Sequence, residues 1–127
     1  MARGLPHLES MNGSGPQLGE AAVFLLPSLK LKKRVGGAPV EEKVHRFLLE
    51  TFGGYTAAAG NIFGYWVDQQ GKQSYGEHRQ FLVAVDGEEN TMRLTKFLAE
   101  IGRELEEESI FLQLGNVVRL VLTATNS

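Results

Sequence analysis

Residues 53–85 read GGYTAAAGNIFGYWVDQQGKQSYGEHRQFLVAV, and this stretch decides the fold. Apolar runs at Ile62–Val67 and at residues 81–85 flank a polar turn at residues 68–71. The turn ends in Gly71, which can adopt the positive φ that a tight connection requires. The pattern therefore predicts two antiparallel strands, the second of which ends at Val85.

The second strand of this pair has one face that suits a core. Side chains alternate along a strand, so Phe81, Val83 and Val85 share a face with Glu77 and Arg79. The other face carries His78 and Leu82. We expect the first face to lie against the helices.

A helix is predicted on each side of the hairpin. The first begins near Pro39, which suits a first turn, and ends at Gly53, which suits a left-handed C-cap. For the second, Asp86 and Glu89 resemble a capping box. One apolar face of the second helix recurs at helical spacing: Leu94, Phe97, Leu98, Ile101 and Leu105.

Strands are also predicted at both ends of the domain. Residues 21–31 form an apolar strand interrupted by Pro27, and residues 109–114 and 117–123 form a hairpin around Gly115 and Asn116. Two helices cannot cover both faces of a sheet of about five strands, so both must pack on one face. The predicted class is α+β, with an antiparallel sheet. We divide the chain into a flexible leader at residues 1–20, where Met11 is an alternative start, and one domain at residues 21–127.

The element order resembles the ferredoxin-like βαββαβ sandwich, with an added C-terminal hairpin strand. A Gly-Tyr-Trp triplet at residues 64–66 precedes a Glu-x-x-x-apolar pattern that begins at Glu77. In this the chain resembles small uncharacterised bacterial proteins. The resemblance implies the fold and no particular activity.

Composition excludes several classes of function. The chain has 127 residues, no cysteine and a net charge of -2, so thiol chemistry and Cys-ligated metal sites are absent, and a basic nucleic-acid surface is not expected. The three histidines lie at no metal-binding spacing. No glycine pattern forms a phosphate loop, and no apolar run is long enough for a membrane span. We predict no metal, no cofactor, no nucleic-acid or membrane partner, and a cytoplasmic location.

Glu77, His78 and Arg79 are the densest group of reactive side chains, and we take them as catalytic candidates. Alternation places His78 on the face opposite the other two. One interpretation is a site in which Glu77 or His78 is a general base and Arg79 holds a small anion. The alternative, which we favour, is that these charges form a half-exposed cross-strand ion pair at the entry of a strand.

Aromatic residues gather in the central hairpin, and we take Tyr65, Trp66, Tyr75 and Arg79 as ligand-binding candidates. We expect these rings, with Phe63, to fill the core. Tyr65 and Trp66 must nevertheless point to opposite faces, so one of them lies on the open side of the sheet. That ring predicts a homodimer formed through the sheet face or an edge.

The basic segment Lys30, Lys32, Lys33 and Arg34 has three interpretations. It solubilises a strand edge, or it meets the acidic end of the second helix in a neighbouring subunit, or it binds an anionic ligand. Taken together, the sequence favours a small self-associating binding or regulatory module with its site near residues 65–79. The alternative is a small cofactor-free enzyme that uses the same residues.

Overall fold

The computed structural model describes Gly13 and residues 15–123, so most of the predicted leader lies outside the described residues. The elements along the chain are β1 (Glu20–Pro27), a 3-10 turn (Ser28–Lys30), β2 (Arg34–Val35), β3 (Ala38–Pro39), α1 (Val40–Phe52), β4 (Thr56–Ala57), β5 (Ile62–Val67), β6 (Gln73–Val85), α2 (Glu88–Glu104), β7 (Ser109–Leu114) and β8 (Val117–Leu122).

The main sheet is antiparallel and has six strands. Its order is β4-β6-β1-β7-β8, and β5 joins it through β6. β1 is central, since β6 lies on one side of it and β7 on the other. The predicted α+β class and the ferredoxin-like arrangement are confirmed, with β8 as the added strand at the edge.

Both helices cover the same face of the sheet. Phe24 of β1 and Phe81 of β6 stack with ring centroids 5.0 Å apart, and Phe47 of α1 stacks on Phe97 of α2 at 3.9 Å. Burying apolar surface of this kind is the main favourable term in folding. The buried side chains under the helices include Ala22, Leu26, Val44, Leu48, Val83, Val85, Leu94, Leu98, Ile101, Ile110 and Leu112. The predicted core face of β6 is therefore correct.

The first strand is shorter than predicted. β1 ends at Pro27, and the chain continues as a 3-10 turn over Ser28–Lys30. Proline has no backbone N–H to donate to a neighbouring strand, so the ladder cannot continue unchanged past it. Leu31 turns back into the core and is buried.

The start of α2 differs from the predicted capping box. Gly87, with φ of 88°, occupies the N-cap position, and no side chain caps the helix. The helix begins at Glu88, so Asp86 lies before the cap and Glu89 lies inside the first turn. The predicted end of α1 is correct, because Gly53 has φ of 84° and its N–H bonds to Leu49 O.

The basic segment after β1 caps the acidic end of α2 within the same chain. Lys30 Nζ donates to Leu105 O at 2.8 Å and to Glu107 Oε2 at 2.5 Å, and Lys33 Nζ donates to Glu104 O at 2.9 Å. Cations at a helix C-terminus are stabilising because the last carbonyls have no partner inside the helix. The predicted pairing with the acidic helix end is thus formed, but not with a neighbouring subunit.

In the described part of the chain, neither helix combines the length and the apolar character that a membrane crossing demands.

Candidate functional site

A two-stranded hairpin arm, which we define as residues 62–78, extends beyond the end of β1. Residues 78–85 of β6 pair with β1, whereas residues 73–78 pair with β5. Pro27, the last residue of β1, lies opposite His78. Beyond that point the arm lacks the neighbour that the rest of β6 has.

The tip of the arm is organised by Asp68. Its Oδ1 accepts hydrogen bonds from the backbone N–H of Gln70 at 2.9 Å and of Lys72 at 2.8 Å. Gly71 has φ of 80°, as the turn prediction requires. An aspartate that bonds to nearby backbone in this way fixes a turn.

The prediction that the hairpin aromatics fill the core is wrong. Phe63 and Tyr65 are each 68% exposed, Tyr75 is 50% exposed and Trp66 is 47% exposed. The sequence pattern of the arm matches that of a buried hairpin, but β1 ends before these residues. The rings therefore lie on a projecting ribbon.

One face of the arm carries a row of three aromatic rings. Tyr75 lies 5.1 Å from Tyr65 and 6.1 Å from Phe63, measured between ring centroids. Its hydroxyl donates to Glu77 Oε2 at 3.0 Å. Partial desolvation of the phenol, together with this bond to a carboxylate, raises the pKa of Tyr75. The tyrosine therefore stays a protonated donor, and it holds the carboxylate of Glu77 beside the rings.

Arg79 lies at the base of the arm on the same face, but its ion-pair partner is on α1. Arg79 Nη1 donates to Glu41 Oε2 at 3.0 Å, and the two side chains are 31% and 42% exposed. In place of the expected cross-strand ion pair, Arg79 of β6 pairs with Glu41 of α1. Arg79 Nε is buried, and no described residue accepts its proton. Because Glu41 neutralises the guanidinium, the carboxylate of Glu77 leaves this site with an excess negative charge.

The opposite face of the arm carries Trp66 and His78, whose rings lie 5.7 Å apart. Trp66 covers the facing pair Gly64 and Gly76, and a Cβ added to Gly76 would lie 2.7 Å from the indole. Burial lowers the pKa of His78, and the negative charge of Glu107 acts in the other direction.

The structure therefore divides the predicted site residues into two groups. Tyr65, Tyr75, Glu77 and Arg79 share one face, whereas Trp66 and His78 share the other. Of the two predicted bases, Glu77 is on the same face as Arg79 and His78 is not. The sequence does not single out Glu41 as a site residue, because an acidic side chain near the start of a helix is expected from the helix dipole alone.

Metal-binding geometry is absent from the part of the chain that the structure describes, because no three His, Cys, Asp or Glu side chains cluster there. His45 is exposed on α1. Its Nδ1 lies 2.8 Å from the hydroxyl of Tyr55.

A separate groove of about 680 Å³ lies between α2 and β8, at the other edge of the sheet. Its lining includes the apolar side chains of Met92, Ala99 and Val121 and the cations Lys96 and Arg119. One feature of the sequence indicates this groove. Arg119 lies opposite Leu112 and so on the helix-covered face of β8, where a charged side chain is unusual.

The fold is similar to that of two solved structures, although the sequence matches no protein-family model and no curated protein. One is a phage SAM lyase in complex with S-methyl-5'-thioadenosine, which is 12% identical, with a TM-score of 0.58 over 88% of this chain and 95% of that one. The other is a phage SAM lyase in the apo state, 13% identical, with a TM-score of 0.51 over 86% and 93% of the two chains. At this identity the similarity shows that the chain shares their α+β fold.

Proposed function

We propose that the protein is a small-ligand-binding module, and that its site is the face of the arm that carries Phe63, Tyr75 and Glu77, with Arg79 at its base. The observation that supports this best is the hydrogen bond from Tyr75 to Glu77 beside a row of exposed rings. Aromatic faces together with a carboxylate are the groups that recognise a cation attached to a planar or apolar body.

The charge of the site favours a cation over the small anion that the sequence suggested. Arg79 is already paired with Glu41, so an anion would have to displace a carboxylate at 3.0 Å before reaching the guanidinium. A cation meets the carboxylate of Glu77 instead, and the hydrogen-bond donor of that carboxylate, Tyr75, is a neutral group. The expected ligand class is therefore a cationic compound with a flat ring.

A sulfonium nucleoside belongs to this class, and the fold similarity to a phage SAM lyase supports testing one. S-adenosylmethionine has an adenine ring, which would stack on Tyr75 or Phe63, and a sulfonium centre, which would lie near Glu77. We propose it as the first ligand to examine.

Thermal denaturation with three adenine compounds tests the binding site. S-adenosylmethionine should raise the melting temperature more than neutral S-methyl-5'-thioadenosine, and adenosine monophosphate should raise it least. A ligand at 100 times its dissociation constant stabilises a fold by about 2.7 kcal/mol, which is readily measured. Glu77→Gln should weaken cation binding about tenfold, which corresponds to ~1.4 kcal/mol.

Glu100→Gln is the matched control, because Glu100 is exposed on α2 and lies outside the arm. It should bind like the native chain. Equal stabilisation by all three adenine compounds, or a Glu77→Gln variant that binds the cation normally, would exclude this site.

The second candidate is a cofactor-free enzyme that acts at the same site, and the fold similarity to a lyase favours testing it. Glu77 would be the general base, oriented by Tyr75. Arg79 would hold an anionic part of the substrate after exchanging Glu41 for it. His78 would have no part in this site, since it lies on the opposite face.

Incubation with S-adenosylmethionine separates the two candidates. Glu77 would take a proton from the aminobutyrate chain as the bond between that chain and the sulfonium sulfur breaks, with the bonding electrons going to sulfur. The products, S-methyl-5'-thioadenosine and an unsaturated four-carbon amino acid, are detected by mass spectrometry, and Glu77→Gln would stop their formation. Binding of S-adenosylmethionine without its conversion would support the binding module and exclude the enzyme.

A further inference from the structure

In the described part of the chain, β5 and β8 each have one edge without a neighbouring strand. β5 pairs with β6 alone, and β8 pairs with β7 alone at the far end of the sheet. The N–H and C=O groups along such an edge are a ready template for another strand. Since β6, β1 and β7 lie between them, the two edges cannot meet within one chain.

Exposed apolar side chains accompany both edges. On the outer half of the arm, Tyr65 is 68% exposed and Val67 is 65% exposed. On the other side of the molecule, Leu120 and Leu122 of β8 are 61% and 73% exposed, and Met92 of α2 is 65% exposed. Met92 lines the groove between α2 and β8, and Leu120 and Leu122 lie beside the groove on the face of β8 opposite to Arg119 and Val121. Apolar patches of this kind mark interaction surfaces.

The charges of the two surfaces are complementary. The arm has Asp68 and Glu77 against Lys72, a net charge of -1 with His78 neutral. The groove has Lys96 and Arg119 against Glu88, a net charge of +1. Opposite charges across an interface speed association and exclude wrong partners.

We propose that the groove between α2 and β8 receives the arm of a second copy of this chain. β5 of one copy lies along the β8 edge of the next, and Tyr65 and Val67 enter the groove. The inference goes beyond the proposed function, because it concerns the contact between two copies of the chain and not the ligand site. The contact is head-to-tail, and such contacts close into rings or continue as chains.

Cross-linking tests this directly, because the native chain has no cysteine. Tyr65→Cys and Met92→Cys are prepared as separate variants, one of them labelled with ¹⁵N, and are mixed with a short bismaleimide cross-linker. We expect a labelled–unlabelled dimer in the mixture and little product from either variant alone. The double variant should give a ladder of cross-linked species or closed rings.

Leu29→Cys supplies the background control, since Leu29 is 87% exposed and lies outside both surfaces. Mixed cross-linking that does not exceed a Tyr65→Cys and Leu29→Cys mixture would overturn the proposal. So would a dominant product of Tyr65→Cys with itself, because that would mean that arms meet arms.

Met92→Asp provides a second measurement. Met92 is exposed on α2, so the substitution leaves the core untouched, and a circular dichroism spectrum checks that the variant folds. Light scattering should give masses above the 14.0 kDa of one chain for the native protein and for Leu29→Asp, but a single chain for Met92→Asp. A native protein that is one chain at millimolar concentration would also overturn the proposal.

The two proposals fail in different ways. Cross-linking and mass are read without ligand, so they report only on the contact between copies. Cation binding that depends on Glu77 without head-to-tail cross-links would leave the proposed function and remove this inference. Head-to-tail cross-links without cation binding would remove the ligand site and leave the contact.

Discussion

His78 is placed where taking up a proton opposes folding. Its imidazole is partly buried beside Trp66, and this burial lowers its pKa below the ordinary 6.5, although Glu107 and a backbone hydrogen bond at Gly76 oppose the shift. Lys30, which pairs with Glu107, reduces that opposition. In acid, the unfolded chain therefore binds a proton at His78 before the folded chain does.

The sign of the pH effect follows from that order. Between the lowered pKa and 6.5 the unfolded state holds more protons, so the free energy of unfolding decreases as the pH falls. We expect the melting temperature to decrease between about pH 7.5 and about pH 5.5, and His78→Gln to reduce the slope. His45→Gln, which removes a histidine at an exposed site, is measured beside it as the control. A steeper decrease in His78→Gln would contradict the assignment.

At the scale of single residues, strand periodicity predicted the face on which a side chain lies but not the residue that it contacts. Alternation correctly separated His78 from Glu77 and Arg79. It could not supply Glu41, because that contact depends on how α1 lies across the sheet. It also could not reveal that the rings of the arm are exposed, since their spacing is the same in a buried hairpin and in a projecting one.

At the scale of elements, the acidic end of α2 is the feature that needed a partner. Four glutamates, at positions 104, 106, 107 and 108, oppose the dipole of the helix at its C-terminus. Lys30 and Lys33 bond to the final carbonyls, and Lys43 lies 3.5 Å from Glu104. These contacts therefore hold the turn after β1 against the C-terminal end of α2.

Lys30→Ala should remove most of the contact between the turn after β1 and the end of α2. It deletes one bond to Leu105 O and one to Glu107, and we expect a loss of about 1 kcal/mol in the free energy of unfolding, measured by urea denaturation. Lys32→Ala is the matched control, because Lys32 is exposed in the same segment and should stay within about 0.5 kcal/mol of the native value. Equal losses in both variants would mean that only net charge matters.

Element boundaries were predictable where a local residue decides them. Gly53 ended α1 and Gly71 closed the turn, since each supplies a positive φ that other residues rarely adopt. β1 stopped at Pro27, earlier than predicted, because the chain turns away just where the missing N–H interrupts the ladder. The N-cap of α2 is Gly87, and its backbone geometry takes the place of the side-chain cap that Asp86 suggested.

At the scale of the whole molecule, the order of elements was enough to predict the architecture. Two amphipathic helices and a set of short strands have few ways to bury their apolar faces, and the ferredoxin-like solution satisfies both. The arm and the groove were not predictable, because each depends on where one strand ends relative to its neighbour. They lie at opposite sides of the sheet, with β1 and β7 between them.

The rest of the domain should fold without the outer part of the arm. Joining Phe63 to Glu77 through Asn-Gly removes the outer ribbon and keeps a tight antiparallel turn, since these two residues face each other across the strands. No buried core residue lies in the deleted segment. We expect cooperative thermal unfolding within a few degrees of the native melting temperature, measured by circular dichroism. Loss of a cooperative transition would show that the arm supports the core.

The position of Trp66 makes the arm its own optical reporter. It is the one tryptophan of the chain, and it lies half-exposed on the ribbon, over two glycines and beside His78. The indole fluorescence of the protein therefore comes from the arm alone. A shift of its emission to shorter wavelength on concentrating the protein would record the indole leaving water, without a dye or an engineered label.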